Sequence, residues 1–329
     1  MSTRPKNASV ALPSEATPTS SHFSGAEIDA LEDRALTYVE AGLPLHLCGP
    51  AGTGKTTTAL RVAERLGRPI IIVSGNSEMT TADLLGREAG IRSKKVVDAS
   101  IQSVRKTESE TSRIWSDGKL SEAMRLGCTF IYDEFSRTPA ATNNVLLMPL
   151  EERRLLFTHP DSSVSDLSAH ENFRAIFTSN PADYAGVDSV QDALLDRMIT
   201  VRLGGHDQDT VAGIVAARTG IDIRRAAQLV AVVHTLRSQA LIAAEASVRS
   251  CVMLATIVQT RDLKVDADDP SFVQLCVDLF LSKAHGDMQD SAWMGGFIDA
   301  VRAVIRQQSV ADLTQAKRKA SGAKQEKAA

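Results

Sequence analysis

The first two thirds of the chain alternate between short apolar runs and longer amphipathic stretches. The runs Leu43–Cys48, Pro69–Ser74, Cys128–Tyr132, Phe173–Ser179 and Ile199–Leu203 are too short for stable helices and apolar almost throughout. That pattern predicts strands of a parallel sheet covered on both faces. Between them the apolar positions take helical spacing. Ser24–Glu40 places Ile28, Leu31, Ala35, Leu36 and Val39 on one face, with Ser24 as a cap. Thr57–Leu66, Thr80–Leu85, Lys119–Leu126, Pro139–Arg154 and Gln191–Met198 read the same way. Strands alternating with helices predict an α/β fold. From Asp207 to about Gln308 the spacing is helical only, over Asp209–Arg218, Arg224–Leu241, Ser247–Gln259, Phe272–Ala284 and Phe297–Arg306. The expected organisation is therefore a tail over 1–22, an α/β core over 23–204, a smaller all-helical domain over 205–308 and a basic flexible tail over 309–329.

Two places break the alternation. Nearly forty residues separate Gly86 from Cys128, where a crossover between parallel strands needs about a dozen. An inserted element is expected around 87–118, with Trp115–Gly118 as a turn. Pro149 falls inside the stretch read as a helix, so a kink or break is expected near Val145–Pro149. The polar segment Asp161–Asp166 is read as the loop of a hairpin or short insertion.

The stretch Gly49-Pro50-Ala51-Gly52-Thr53-Gly54-Lys55-Thr56, followed by Thr57, has the spacing G-x-x-x-x-G-K-T. Gly52 and Gly54 permit backbone angles that let successive N–H groups turn inward around phosphate oxygens. A helix beginning near Lys55 aims its positive end at the same place. Lys55 would reach the β- and γ-phosphates and Thr56 would ligate Mg²⁺. The alternative is a Gly-rich turn between a strand and a helix.

The strand ending at Tyr132 runs into Asp133-Glu134, where parallel sheets bind ligands. Asp133 would hold Mg²⁺ through water, and Glu134 would orient the attacking water. A pair of capping acids is the plainer reading. The strand ending at Ser179 delivers Asn180, a hydrogen-bond donor for a phosphate or the water, or only a cap on the turn before Pro181. Arg249 follows Ser247 at the start of a helix, where a cation opposes the macrodipole unless an anion is bound. Arg197 closes the segment Asp192–Met198. It is read either as a charge-stabilising group acting on a neighbouring copy or as a helix-end ion pair with Asp192 or Asp196. Arg137, Arg153, Arg154 and Arg174 compete for the trans-acting role.

Composition narrows the picture. Of 329 residues 43% are hydrophobic and 23% charged, enough for a sizeable core. A net charge of −3 gives no general attraction to nucleic acid or an anionic membrane. The four cysteines, Cys48, Cys128, Cys251 and Cys276, are scattered and read as reduced thiols, and the histidines lack metal-ligand spacing. Without a membrane-length apolar run or an apolar leader, the expected compartment is the cytoplasm.

Taken in order, the phosphate loop, insertion, Asp-Glu strand, Asn strand, Ala193-Leu-Leu-Asp-Arg197 and the helical domain with Ser247-x-Arg249 resemble the AAA+ ATPases of the MoxR-like group. Further stretches are similar to its gas vesicle branch. They are Trp115–Leu120, Ile131–Phe135, Asn143–Leu147, Phe177–Pro181, Tyr184–Val187 and Gln191–Thr200. The resemblance covers roughly residues 25–260. It implies a P-loop ATPase core with a helical lid, using ATP and Mg²⁺. By the same resemblance Lys55 and Thr56 are the Walker A pair, Asp133 and Glu134 the Walker B pair, Asn180 sensor 1, Arg197 the arginine finger and Arg249 sensor 2. The implied partners are further copies of the chain in a ring, a hexamer, and gas vesicle structural or accessory proteins as clients. Two other functions stay open: a chaperone activating a metal enzyme or a carboxylase, and a nucleotide-switched scaffold with little turnover.

Overall fold

The computed structural model describes residues 23–98, 106–158, 164–180, 190–243, 248–286 and 290–326. The sequence expectations for the tail over 1–22, for Tyr184–Val187 and for Ser247 fall outside these residues. The chain divides into two compact units. One holds Ala30–Gly49 and Lys55–Leu203, and the other takes in Pro50–Gly54 and the chain from Gly204 onward.

The first unit is built on a five-stranded sheet. Its strands are β1 (Leu45–Cys48), β2 (Ile70–Ser74), β5 (Thr129–Asp133), β8 (Arg174–Ser179) and β9 (Ile199–Arg202). Their order is β2-β5-β8-β1-β9, and every pairing is parallel. Side chains alternate between two apolar layers. Leu45, Leu47, Ile131, Ile176 and Val201 face one core with Ala35 and Val39 of α1 (Ala26–Glu40) and Ala59, Val62 and Ala63 of α2 (Lys55–Arg65). Phe130, Tyr132, Ala175 and Phe177 face the other, with Leu84 of α3 (Thr81–Leu85) and Leu120, Ala123 and Met124 of α4 (Lys119–Leu126). Gly127, left-handed at φ 72°, closes α4 immediately before β5.

Four expectations change here. The run Pro69–Ser74 looks buried on both faces, but β2 lies at the sheet edge and Ile72 is 45% exposed. The insertion is a two-stranded antiparallel ribbon of β3 (Gly86–Asp98) and β4 (Lys106–Asp117), so Trp115–Asp117 end a strand rather than form a turn. The stretch after Pro139 does break near Val145–Pro149 as expected, but into more pieces than one kink gives. Short 3₁₀ turns at Phe135–Arg137 and Asn144–Leu146 flank α5 (Ala140–Asn143), and α6 covers Leu147–Glu152. Pro149 sits in the first turn of α6, where its missing N–H leaves no helical bond unmade. Arg153, left-handed at φ 56°, ends α6 and opens the hairpin β6 (Arg154–Thr158) and β7 (Val164–Ser168). Last, the short α7 (Val190–Leu195) stops before Arg197, which lies on the turn into β9.

The second unit is helical. Its helices are α8 (Gln208–Thr219), α9 (Ile223–Ser238), α10 (Val248–Arg261), α11 (Pro270–Phe280) and α12 (Ser291–Glu326). Asp207, Asp222 and Asp269 cap the first, second and fourth through side-chain bonds to first-turn N–H groups. Leu229, Val233, Leu236, Leu254, Phe272, Phe280 and Val301 are among the residues forming one core. The expected flexible tail from 309 is helical to Glu326. Its Ala, Lys, Gln and Arg residues are strong helix formers, so the helix has no sequence reason to stop at 308.

Candidate nucleotide-binding site

The carboxyl ends of three neighbouring strands deliver the residues singled out by the sequence. β1 ends at Cys48 and passes into Gly49, whose N–H donates to Ser179 O on β8. Gly52 and Gly54 take φ values of 79° and 88°, which residues with a Cβ resist. Thr53 closes the turn by donating to Pro50 O at 3.0 Å. Lys55 is buried, and its ammonium donates to Gly49 O at 2.7 Å. The loop is thus held in an arch by its own lysine.

At the next residue, the Thr56 hydroxyl donates to Asp133 Oδ1 at 2.8 Å. That bond brings together the residues expected to share a cation. Their oxygens, a hydroxyl and a carboxylate, are of the type Mg²⁺ prefers. Glu134 follows in the left-handed region at φ 53°, rare for a residue with a Cβ. Its carboxylate pairs with the Arg137 guanidinium at 2.9 Å. Asn180, half-buried, stands at the end of β8.

Sequence reasoning missed three groups that shape this corner. Thr178 on β8 is fully buried and bonds to both acids. Gly75 follows β2, its N–H donates to Asp133 O at 2.7 Å, and a Cβ there would lie 2.4 Å from Glu134 O. Tyr132 reaches Thr138 at 2.8 Å and Asn143 at 3.2 Å, tying β5 to the broken helical segment, and burial pushes its hydroxyl up to about 12. A Gly after a strand and a Thr inside one carry no motif, so only their position across the sheet gives them away.

On β1, His46 is buried between Ser179 Oγ at 2.7 Å and Thr200 Oγ1 at 2.9 Å, edge-on to Phe135. Burial lowers its pKa to about 4. The imidazole is neutral at physiological pH and links β9, β1 and β8.

The arginines are placed less simply. Arg197 donates twice to Glu151, at 2.6 and 2.9 Å, and once to Ala193 O. Its partner is thus Glu151 rather than Asp192 or Asp196. Arg154 pairs with Asp166, while Arg153 and Arg174 donate to backbone carbonyls of the turn 170–173. Arg249 is exposed in the first turn of α10.

Within the second unit a pocket is lined by Pro50–Thr53 together with His206, Gln208, Val211, Val230, Val233, His234, Arg237, Val248 and Cys251. The lining mixes apolar side chains with a few polar ones, the usual composition of a small-molecule pocket. Burial raises the Cys251 thiol to about 11, so it stays protonated.

A family model described as an AAA domain of the dynein-related subfamily matches residues 44–198. A gas vesicle ATPase GvpN of Ancylobacter aquaticus is 41% identical over 289 residues, 87% of this chain and 81% of its own length. The chain belongs to the GvpN family of gas vesicle ATPases. A second member, from Haloferax mediterranei, is 34% identical over 87% of this chain and 82% of its own. Outside the family, protein CbbQ of Hydrogenophilus thermoluteolus is 28% identical over 64% of this chain and 70% of its own. Among solved structures, NtrX from Brucella abortus in complex with ADP matches with a TM-score of 0.52 at 14% identity. The match covers 89% of this chain and 67% of NtrX, and it speaks for the fold alone. The chain is accordingly an AAA+ ATP hydrolase with a nucleotide site, linked to gas vesicles. None of the described helices is long and apolar enough to cross a membrane.

Proposed function

We propose that this ATPase works as a ring, a hexamer, and uses Mg²⁺-dependent ATP hydrolysis to remodel or assemble gas vesicle shell proteins. The observation that carries the site reading is the Thr56–Asp133 bond, which joins the phosphate loop helix to the acidic strand end. Thr56 and Asp133 would hold Mg²⁺, whose charge offsets that gathering on the phosphoryl oxygens. Lys55 exchanges Gly49 O for the β- and γ-phosphates, while the loop N–H groups of 49–57 cradle them. Glu134 orients and activates water once its carboxylate turns from Arg137, and Asn180 holds that water or the γ-phosphate. Arg249 supplies a further cation for the γ-phosphate. Arg197 of an adjoining copy faces the transferring group after leaving Glu151, so ring assembly and turnover are linked.

The test is one tube holding the full chain, ATP and Mg²⁺, with phosphate release and particle mass measured together. The expected result is turnover per chain that rises with protein concentration as rings form, and ATP-dependent capture of gas vesicle shell protein. Turnover by a monomer, independent of concentration, would overturn the ring. Rings that ignore shell protein in every nucleotide state would overturn the client.

A further inference from the structure

Thr178 lies opposite the end of β5, one position past the paired residues Tyr132 and Phe177. Strand alternation puts it on the same face as Ile176, toward α2, and puts Asp133 on the matching face below Ile131. Its single hydroxyl works in both directions. It accepts the Glu134 N–H at 2.9 Å and donates to Asp133 Oδ1 at 2.5 Å. Asp133 Oδ1 thus receives two hydroxyl hydrogens, from Thr178 and from Thr56. A carboxylate oxygen so occupied has its orientation fixed, leaving its partner oxygen for other ligands. The Glu134 backbone is left-handed, a conformation costing on the order of 1 kcal/mol unless its surroundings hold it. The Thr178 bond grips that residue by its N–H.

We propose that Thr178 is a positioning residue for ATP hydrolysis, one hydroxyl setting the aim of both acids at once. This rests on the reading of Asp133 and Glu134 as the acidic pair of the site. Removing the hydroxyl leaves the Asp133 carboxylate held by Thr56 alone and loosens the Glu134 turn, while the bond from Lys55 to Gly49 O is kept. A defect is therefore expected in kcat and not in nucleotide affinity.

The experiment compares Thr178→Val, which keeps the shape, and Thr178→Ser, which keeps the hydroxyl, with the unmodified chain. Steady-state ATPase kinetics are read beside ATP affinity, and hydrogen exchange is followed in the peptide containing Glu134. Thr178→Val is expected to lose about 10- to 100-fold in kcat with ATP affinity within about threefold, and to exchange the Glu134 amide faster. Thr178→Ser is expected to recover both. A Val variant with unaltered kcat, or one losing affinity in step with kcat, overturns the proposal. So does a Ser variant as slow as Val. A Glu134→Gln control separates the two levels. If that control still turns over, the reading of the acidic pair fails, and the exchange data alone decide whether Thr178 holds the turn. If it is inactive and Thr178→Val is not, only the proposal for Thr178 fails.

Discussion

Gly75 offers a way to move Glu134 without changing any acid. The glycine is buried after β2, and a Cβ added there would meet Glu134 O at 2.4 Å, Thr138 Oγ1 at 2.9 Å and Glu134 C at 3.0 Å. Carbon and oxygen sit no closer than about 3.2–3.4 Å without strain, so Gly75→Ala must push the Glu134 carbonyl back by nearly 1 Å. The neighbour that must give is backbone, locked by the bond from Gly75 N–H to Asp133 O and by the Glu134 N–H on Thr178. Such overpacking costs about 1–3 kcal/mol, a fall in melting temperature of a few degrees for a unit of this size. A displacement of about 1 Å at a catalytic carboxylate costs roughly 100-fold in rate. None of the three atoms the added methyl would meet belongs to the phosphate loop, so ATP affinity is expected to hold. The assays are phosphate release at saturating ATP, nucleotide titration and a thermal melt. Unaltered kcat and melting temperature in Gly75→Ala would refute the claim that this glycine is needed to seat Glu134.

Three further outcomes are expected. His46 has a folded pKa of about 4 against 6.5 when exposed, so the unfolded chain binds its proton first on acidification. Its contribution is complete above pH 6.5 and falls as pH drops toward 4, by about 2 kcal/mol between pH 8 and pH 5, and urea unfolding of His46→Gln should lose that slope. Tyr132→Phe strands the Thr138 and Asn143 groups and should destabilise the first unit by about 1–3 kcal/mol, visible in a thermal melt. Arg197→Ala in the assembled ring should cut kcat by about 1,000-fold or more if the side chain serves a neighbour, whereas Glu151→Ala should leave turnover within a few-fold.

The strand ends and the phosphate loop were legible because their information is local: glycine spacing, apolar runs and the acids that follow them. What stayed hidden was set by contacts distant in sequence. That β2 is an edge strand depends on which strands flank it, not on Ile70–Val73 themselves. Among the described residues the β3–β4 ribbon pairs only with itself, and such a ribbon needs no continuous apolar face, so its sequence carries no strict alternation. Ser116-Asp117-Gly118 reads as a turn by residue type, yet only Gly118, tight against Leu84, leaves the strand. Pro149 correctly signals a broken helix, but the break falls before it, because proline suits a first turn. The Arg197–Glu151 pair joins residues on separate elements, and nothing in the local spacing of charges announces it.

In the proposed cycle Glu134 acts after nucleotide is bound and not in binding it. The most direct measurement is single-turnover ATP hydrolysis by Glu134→Gln beside the unmodified chain, with bound nucleotide quantified in the same samples. The expected result is ATP held at unmodified affinity and cleaved at least about 100-fold more slowly. Cleavage at the unmodified rate, or loss of ATP binding itself, would contradict it.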